Sequence, residues 1–217
     1  MHHGFNPFAK LKCKLQIICI LVYVSIFFYV LHCIKFIVKQ EKFSMQNVEL
    51  KAVCRNLDLA RQHIRELGGK FLEKLRQRDV YFDLPGGRLK LRLTTDKQAQ
   101  LIYYRRPDSR DPETSDYYIY FSHNPDSLEK LLKMAFQVRG VVEKTREVYL
   151  IDNVRVHLDA VQGLGTFLEF EAVISPGYEV SRERQKLLDY QRRFGIKPED
   201  VVAASYIDLL QKPEGEF

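Results

Sequence analysis

The chain has 217 residues, with 34 basic against 28 acidic side chains and a net charge of +6, enough for one substantial domain plus an appendage. That modest excess is spread along the chain; it suits an anionic ligand and by itself proves little more. Four cysteines, Cys13, Cys19, Cys33 and Cys54, show no CxxC or Cys/His zinc spacing, which excludes a disulfide framework and points to reduced thiols in a cytoplasmic setting.

The first 44 residues form a leader of different character. Leu15 to Ile34 contains no Asp, Glu, Lys or Arg over 20 residues, the length that crosses a bilayer as a helix. Lysines 10, 12 and 14 precede it and lysines 35, 39 and 42 follow, so the positive-inside rule leaves its orientation undecided. No small-x-small cleavage site follows the run, which argues against a cleaved signal peptide. Met45 is an alternative start that would make residues 1–44 an extension. The expectation is a domain over 45–211, an N-terminal segment with a candidate membrane anchor at 15–34, and a tail over 212–217.

From Met45 the pattern becomes short alternating strands and a few helices. Asn47–Val53 reads as the first strand. Asn56–Leu67 has helical apolar spacing at Leu59, Ile64 and Leu67, stopped by Gly68-Gly69. Phe71–Asp83 contains a second strand, "LPGG" at 84–87 is a turn, and Arg88–Thr94 alternates almost perfectly. Ala99–Arg106 and Tyr117–Ser122 are strands either side of the polar segment "PDSRDPETSD". Asp126–Gln137 is a helix. Val141–Ile151 and Val154–Val161 form a hairpin around Asp152-Asn153, and Thr166–Ile174 is the last strand. Ser181–Phe194 and Pro198–Leu210 are helices, the second opened by proline at a favoured start. About eight strands joined as meanders predict an α+β domain: an antiparallel barrel or strongly curved sheet with helices packed outside.

The faces of these strands carry the functional signal. Arg88, Lys90 and Arg92 oppose Leu89, Leu91 and Leu93; Lys144 and Arg146 share a face; Arg155, His157 and Asp159 oppose Val154, Val156 and Leu158; Glu169 and Glu171 oppose Leu168 and Phe170. An ordinary sheet turns such a face to water. Here the base-rich strands and the acid-rich strands segregate along the chain, and the amphipathic helices need an apolar surface to cover. If they cover the leucine and valine faces from outside, the charges line a lumen. A lumen of fixed charge demands a charged ligand. The bases call for a polyanion, and the carboxylates Glu49, Asp159, Glu169 and Glu171 call for a hard divalent cation such as Mg²⁺ that reconciles them with phosphate oxygens. No GxxxxGK[ST] loop is present, so P-loop chemistry is excluded. Interleaved acids likewise argue against a nucleic-acid partner.

Seven segments in order resemble the CYTH domain, the triphosphate tunnel metalloenzyme superfamily, and its class IV adenylate cyclase branch in particular. "NVELK" (47–51) matches the ExExK signature at Glu49 and Lys51, with Asn47 in place of the first glutamate. "RDVYFD" (78–83), "LKLR" (89–92), "RRP" (105–107), "EKTREVYL" (143–150), "HLDAVQGLGTFLEFE" (157–171) and the closing "SYIDLL" (205–210) cover the body of the domain. The resemblance implies a closed eight-stranded tunnel holding a triphosphate. It implies that Lys51, Lys90, Arg92, Arg105, Lys144 and Arg146 grip phosphate, with Lys51 and Arg92 also catalytic, and that Glu49, Glu169, Glu171 and Asp159 hold the metal. His157 is a candidate substrate contact, against the plainer reading of a structural strand histidine. Asn47 offers a neutral oxygen where the family has an anion, which predicts a weakened second metal site. The leading expectation is a metal-dependent triphosphatase. The alternatives are a class IV adenylate cyclase making cyclic AMP and pyrophosphate, and a non-catalytic polyphosphate- or nucleotide-binding module.

Overall fold

Eight antiparallel strands close into a barrel in the computed structural model, which describes residues 45–211. The strands are β1 (Met45–Val53), β2 (Lys70–Phe82), β3 (Arg88–Thr94), β4 (Ala99–Arg105), β5 (Glu113–Ser122), β6 (Val138–Ile151), β7 (Val154–Val161) and β8 (Gly165–Ile174), in the order β1-β5-β4-β3-β2-β6-β7-β8 around the wall. The expected closed, helix-covered tunnel is therefore the observed architecture. The candidate membrane segment at 15–34 lies outside the described residues. Among the described residues no helix is long and apolar enough to cross a membrane.

Sequence alternation settles into register strand by strand. Asp152 turns the β6–β7 hairpin with a φ of 54°, a left-handed conformation that Asp and Asn tolerate. The segment read as a loop over 107–116 is shorter than expected: β5 begins at Glu113, because Glu113 to Tyr117 pairs with Glu49 to Met45 of β1. That pairing closes the barrel, and no local propensity announces it.

Among the described residues four helices lie against the outside: α1 (Leu57–Glu66), α2 (Pro125–Ala135), α3 (Val180–Arg193) and α4 (Tyr206–Leu210). Asn56 caps α1 by accepting from Leu59 N at 3.0 Å, and Asn124 caps α2 in the same way. The outward faces of β1, β7 and β8, with Val48, Leu50, Val156, Leu158 and Phe170, pack with Ala60 and Ile64 of α1 and Leu187 of α3. Val80, Phe82, Leu89 and Leu91 pack with Leu132 of α2. Apolar side chains thus leave water against the helices, and the other strand faces can only point inward. The helix expected over Pro198–Leu210 is broken. A 3₁₀ turn over Pro198–Asp200 is followed by Val201 bridging to Ala52, and Val202 N donates to Lys51 O at 2.8 Å. Ser205 and Asp208 then start α4 with a capping box. Edge pairing to β1 outcompetes helix continuation, and it brings Tyr206 to the barrel.

Candidate functional site

The inward faces enclose a cavity of about 310 Å³. Its basic lining comes from four strands and the end of a fifth: Lys51 (β1), Lys90 and Arg92 (β3), Lys144 and Arg146 (β6), Arg155 (β7) and Arg106 just past β4. Glu49, Glu73, Glu169 and Glu171 supply its carboxylates. A shallower groove of about 720 Å³ runs along Arg76, Thr95, Thr145 and Gln162, and no carboxylate–histidine cluster forms there among the described residues.

Two aspartates lie beneath the lining, both fully buried. Asp79 accepts from Arg92 Nε and Nη2, each at 2.8 Å, and sits 3.2 Å from Lys90 Nζ and 3.3 Å from Lys144 Nζ. Burial alone would push its carboxyl up, but Arg92, Lys144 and Lys90 together hold it well below the usual carboxylate range. Asp159 accepts from Arg146 Nε at 2.7 Å, from Arg146 Nη2 at 2.5 Å and from the Tyr206 hydroxyl at 2.8 Å. Each aspartate is a counter-ion that aims bases at the cavity. Bidentate pairing fixes the plane of a guanidinium and leaves its other N–H groups for a ligand.

The bases are poised rather than saturated. Burial pulls Lys51 and Lys144 each down to about 7, with Arg106 contributing at Lys51 and Arg146 and Arg92 at Lys144. An entering polyanion would restore their charge. Lys51 Nζ donates to the Ala204 carbonyl and lies 4.5 Å from the Tyr206 ring centroid, so the segment that breaks the last helix positions it. Burial and the neighbouring Glu171 push Glu49 up to about 6, outweighing its 2.9 Å pairing with Arg106.

One group of side chains has the makings of a cation seat. His157, Glu169 and Glu171 place a ring nitrogen and two carboxylate oxygens within 4.8 Å of one another. His157 Nδ1 is buried with no hydrogen-bond partner, 3.5 Å from Glu171 Oε1 and 3.7 Å from Glu169 Oε2. An unpartnered buried nitrogen between two carboxylates fits a metal ligand. Glu169 also accepts from Arg146 Nη2 at 2.6 Å. Burial raises its carboxyl, and the neighbouring Arg146, His157 and Lys51 hold it well below normal, so it is present as the anion.

Most of the sequence-derived site residues therefore meet in one cavity: Lys51, Lys90, Arg92, Lys144, Arg146, His157, Glu49, Glu169 and Glu171 all line it. Two do not take the expected places. Arg105 is exposed, with Nε donating to the Tyr103 hydroxyl at 2.7 Å. The inward residues of β4 are Gln100, Ile102 and Tyr104, and the parity carries on to Arg106. The basic position of "RRP" is its second arginine. Asp159 lies outside the His157 cluster, with both oxygens taken by Arg146 and Tyr206, so it anchors a base rather than facing a cation. Sequence reasoning also passed over Asp79 and Arg106, and it placed Arg155 on the face of His157 and Asp159 without giving it a role. Asp79 was within reach through its period-2 relation to Gln77 and Tyr81, but its partner Arg92 follows only from the β2–β3 register.

Known proteins share the fold. The CYTH domain family model matches residues 45–206. The Methanocaldococcus jannaschii protein named "Putative adenylate cyclase MJ0240" is 24% identical over 172 residues, covering 76% of this chain and 98% of its own. The structure of PH1012 protein from Pyrococcus horikoshii OT3 is 32% identical, covers 75% of this chain and 98% of its own, and superposes with a TM-score of 0.68. A structure from Hippeastrum, described as "Putative adenylyl cyclase HpAC1" with a dominant triphosphatase activity, shares the fold at 17% identity, covering 77% of this chain and 95% of its own, with a TM-score of 0.54. With its barrel, its inward charges and a family match across nearly the whole described region, the chain belongs to the CYTH domain family.

Proposed function

We propose that the protein hydrolyses a triphosphate, inorganic or organic, with Mg²⁺ or Mn²⁺ as cofactor. The observation that carries this reading is the convergence of Lys51, Lys90, Arg92, Arg106, Lys144 and Arg146 on the cavity that also holds the His157–Glu169–Glu171 group. So much fixed positive charge needs a polyanion, and the carboxylate pair fits a hard divalent cation. When bound, that ion supplies charge neutralisation at the phosphoryl group and orientation of the attacking oxygen. Phosphoryl transfer needs little covalent work from the protein, so positioning and electrostatics dominate.

The residues divide that work. Lys90, Lys144 and Arg106 donate to phosphate oxygens along the cavity. Arg92, held flat by Asp79, and Lys51, held by the Ala204 carbonyl, meet the charge that grows in the transition state. Arg146, locked by Asp159, orients Glu169. Tyr206 closes over Asp159 and Lys51 and keeps water from both.

The test is phosphate release by the full-length protein from tripolyphosphate, ATP and thiamine triphosphate with Mg²⁺ or Mn²⁺, with cyclic AMP measured in parallel. Metal-dependent phosphate release without cyclic AMP is the expected result. Glu169→Gln should lower turnover by at least about 100-fold with the fold retained. Cyclic AMP and pyrophosphate from ATP would replace the hydrolase with a cyclase. Tripolyphosphate binding without turnover would leave a binding module.

A further inference from the structure

Glu171 faces two different partners. Across the β7–β8 and β1–β8 pairings it lies opposite Arg155 on one side and Glu49 on the other. Its Oε1 points to His157 Nδ1 at 3.5 Å, and its Oε2 pairs with Arg155 Nη2 at 3.0 Å. The same Nη2 also meets Asn47. With the Asn47 amide assigned from its hydrogen-bond network, Oδ1 accepts from Arg155 Nη2 at 3.1 Å, while Nδ2 donates to the Gln46 carbonyl at 3.1 Å and to the Tyr117 hydroxyl at 3.3 Å. Arg155 also keeps a buried Nε with no partner, yet 37% of its side chain stays accessible. It lines the cavity.

Charge decides what else fits there. A second divalent ion between β1 and β8 would need Glu49 and Glu171 together. Glu49 is already matched by Arg106 at 2.9 Å and Glu171 by Arg155 at 3.0 Å, so the pair has no negative charge left over. Asn47 adds a neutral oxygen, and that oxygen faces the guanidinium. An incoming dication would meet two guanidinium groups at short range in a poorly screened cavity. Around His157 the balance differs. Glu169 shares the guanidinium of Arg146 with Asp159, so it is less fully neutralised than a carboxylate with an arginine of its own.

Resting on the triphosphatase reading above, we infer that the Arg155 guanidinium, clamped between Asn47 and Glu171, is a built-in cation in the seat of a second metal. The protein then works with one divalent ion, at His157–Glu169–Glu171, and Arg155 faces the phosphate on the opposite side. Asn47 and Arg155 function as a matched pair: a glutamate at 47 would hold a metal, whereas the asparagine holds an arginine.

The test is metal stoichiometry, not turnover. Mn²⁺ is titrated into the full-length protein carrying one equivalent of a methylene-bridged, non-hydrolysable triphosphate, and bound Mn²⁺ is read by electron paramagnetic resonance. The wild type should saturate at one ion with an uncoupled spectrum. Asn47→Glu combined with Arg155→Gln should take up a second ion and show the spin coupling of two neighbouring Mn²⁺ ions. Arg155→Lys, which keeps the charge, should remain at one. Two coupled ions in the wild type, or one ion in a folded double variant, would overturn the inference while leaving the triphosphatase reading intact. No bound Mn²⁺ in any form would bring down both.

Discussion

Removing the buried carboxylate of Asp79 tests the electrostatic design of the tunnel most directly. Asp79 is fully buried, accepts twice from Arg92 at 2.8 Å, and is within 3.3 Å of Lys90 and Lys144. In Asp79→Ala those cations face one another without a counter-ion. Breaking a buried charge network in this way costs about 3–5 kcal/mol. For a domain of this size each kcal/mol moves the midpoint by about 2–4 °C, so the melting temperature should fall by about 6–20 °C. The same change frees the three bases for an external anion. Tripolyphosphate should bind the variant more tightly, by about tenfold if one strong contact is released, and should raise its melting temperature more than that of the wild type. At one hundred times its dissociation constant it adds about 2.7 kcal/mol to either protein. Thermal unfolding by circular dichroism, with and without tripolyphosphate, reads both effects, and Asp79→Asn separates lost charge from lost volume. A variant that melts with the wild type and binds tripolyphosphate no better would refute the argument that Asp79 holds the bases as their internal counter-ion.

Arg106→Ala should weaken tripolyphosphate binding by at least about tenfold, while Arg105→Ala leaves it unchanged; calorimetric titration of both decides which arginine of "RRP" faces the ligand. Lys51 and Lys144 titrate near 7, so above that pH the free protein lacks charges that a polyanion restores. Tripolyphosphate affinity should therefore fall as pH rises through 7, and binding at pH 8 should take up protons beyond the ligand's own. Titration in buffers of different ionisation enthalpy measures that uptake, and Lys144→Arg should reduce it. Tyr206→Phe removes the 2.8 Å hydrogen bond to buried Asp159 and should cost about 1.5–3 kcal/mol, read as a lower midpoint in urea unfolding.

Much of the fold was legible because period-2 alternation is a property of neighbouring residues. "RLKLRLT" and "TFLEFEAV" declare two faces wherever they are placed, and amphipathic helices nearby say which face is covered. The breaks came where a distant partner overrides local preference. β5 starts at Glu113 because β1 is there to pair with it, and the last helix is interrupted because Val201 and Val202 bond to β1.

The site divides along the same line. Residue type and parity by themselves determined that Lys51, Lys90, Arg92, Lys144, Arg146, Glu169 and Glu171 lie on the charged faces of their strands, since side-chain direction follows from position along one strand. Which groups touch depended on register between strands, and register is a tertiary fact. Strand register sets Asp79 against Arg92 and Asp159 against Arg146, the interrupted last helix brings Tyr206 to Asp159, and the β7–β8 pairing leaves His157 Nδ1 between two carboxylates. Only past the end of β4 does Arg106 replace Arg105 as the inward base. Asn47 was visible in the sequence as a missing charge. The barrel places a cation from β7 against it, because strands β1, β8 and β7 lie side by side with Glu171 between them.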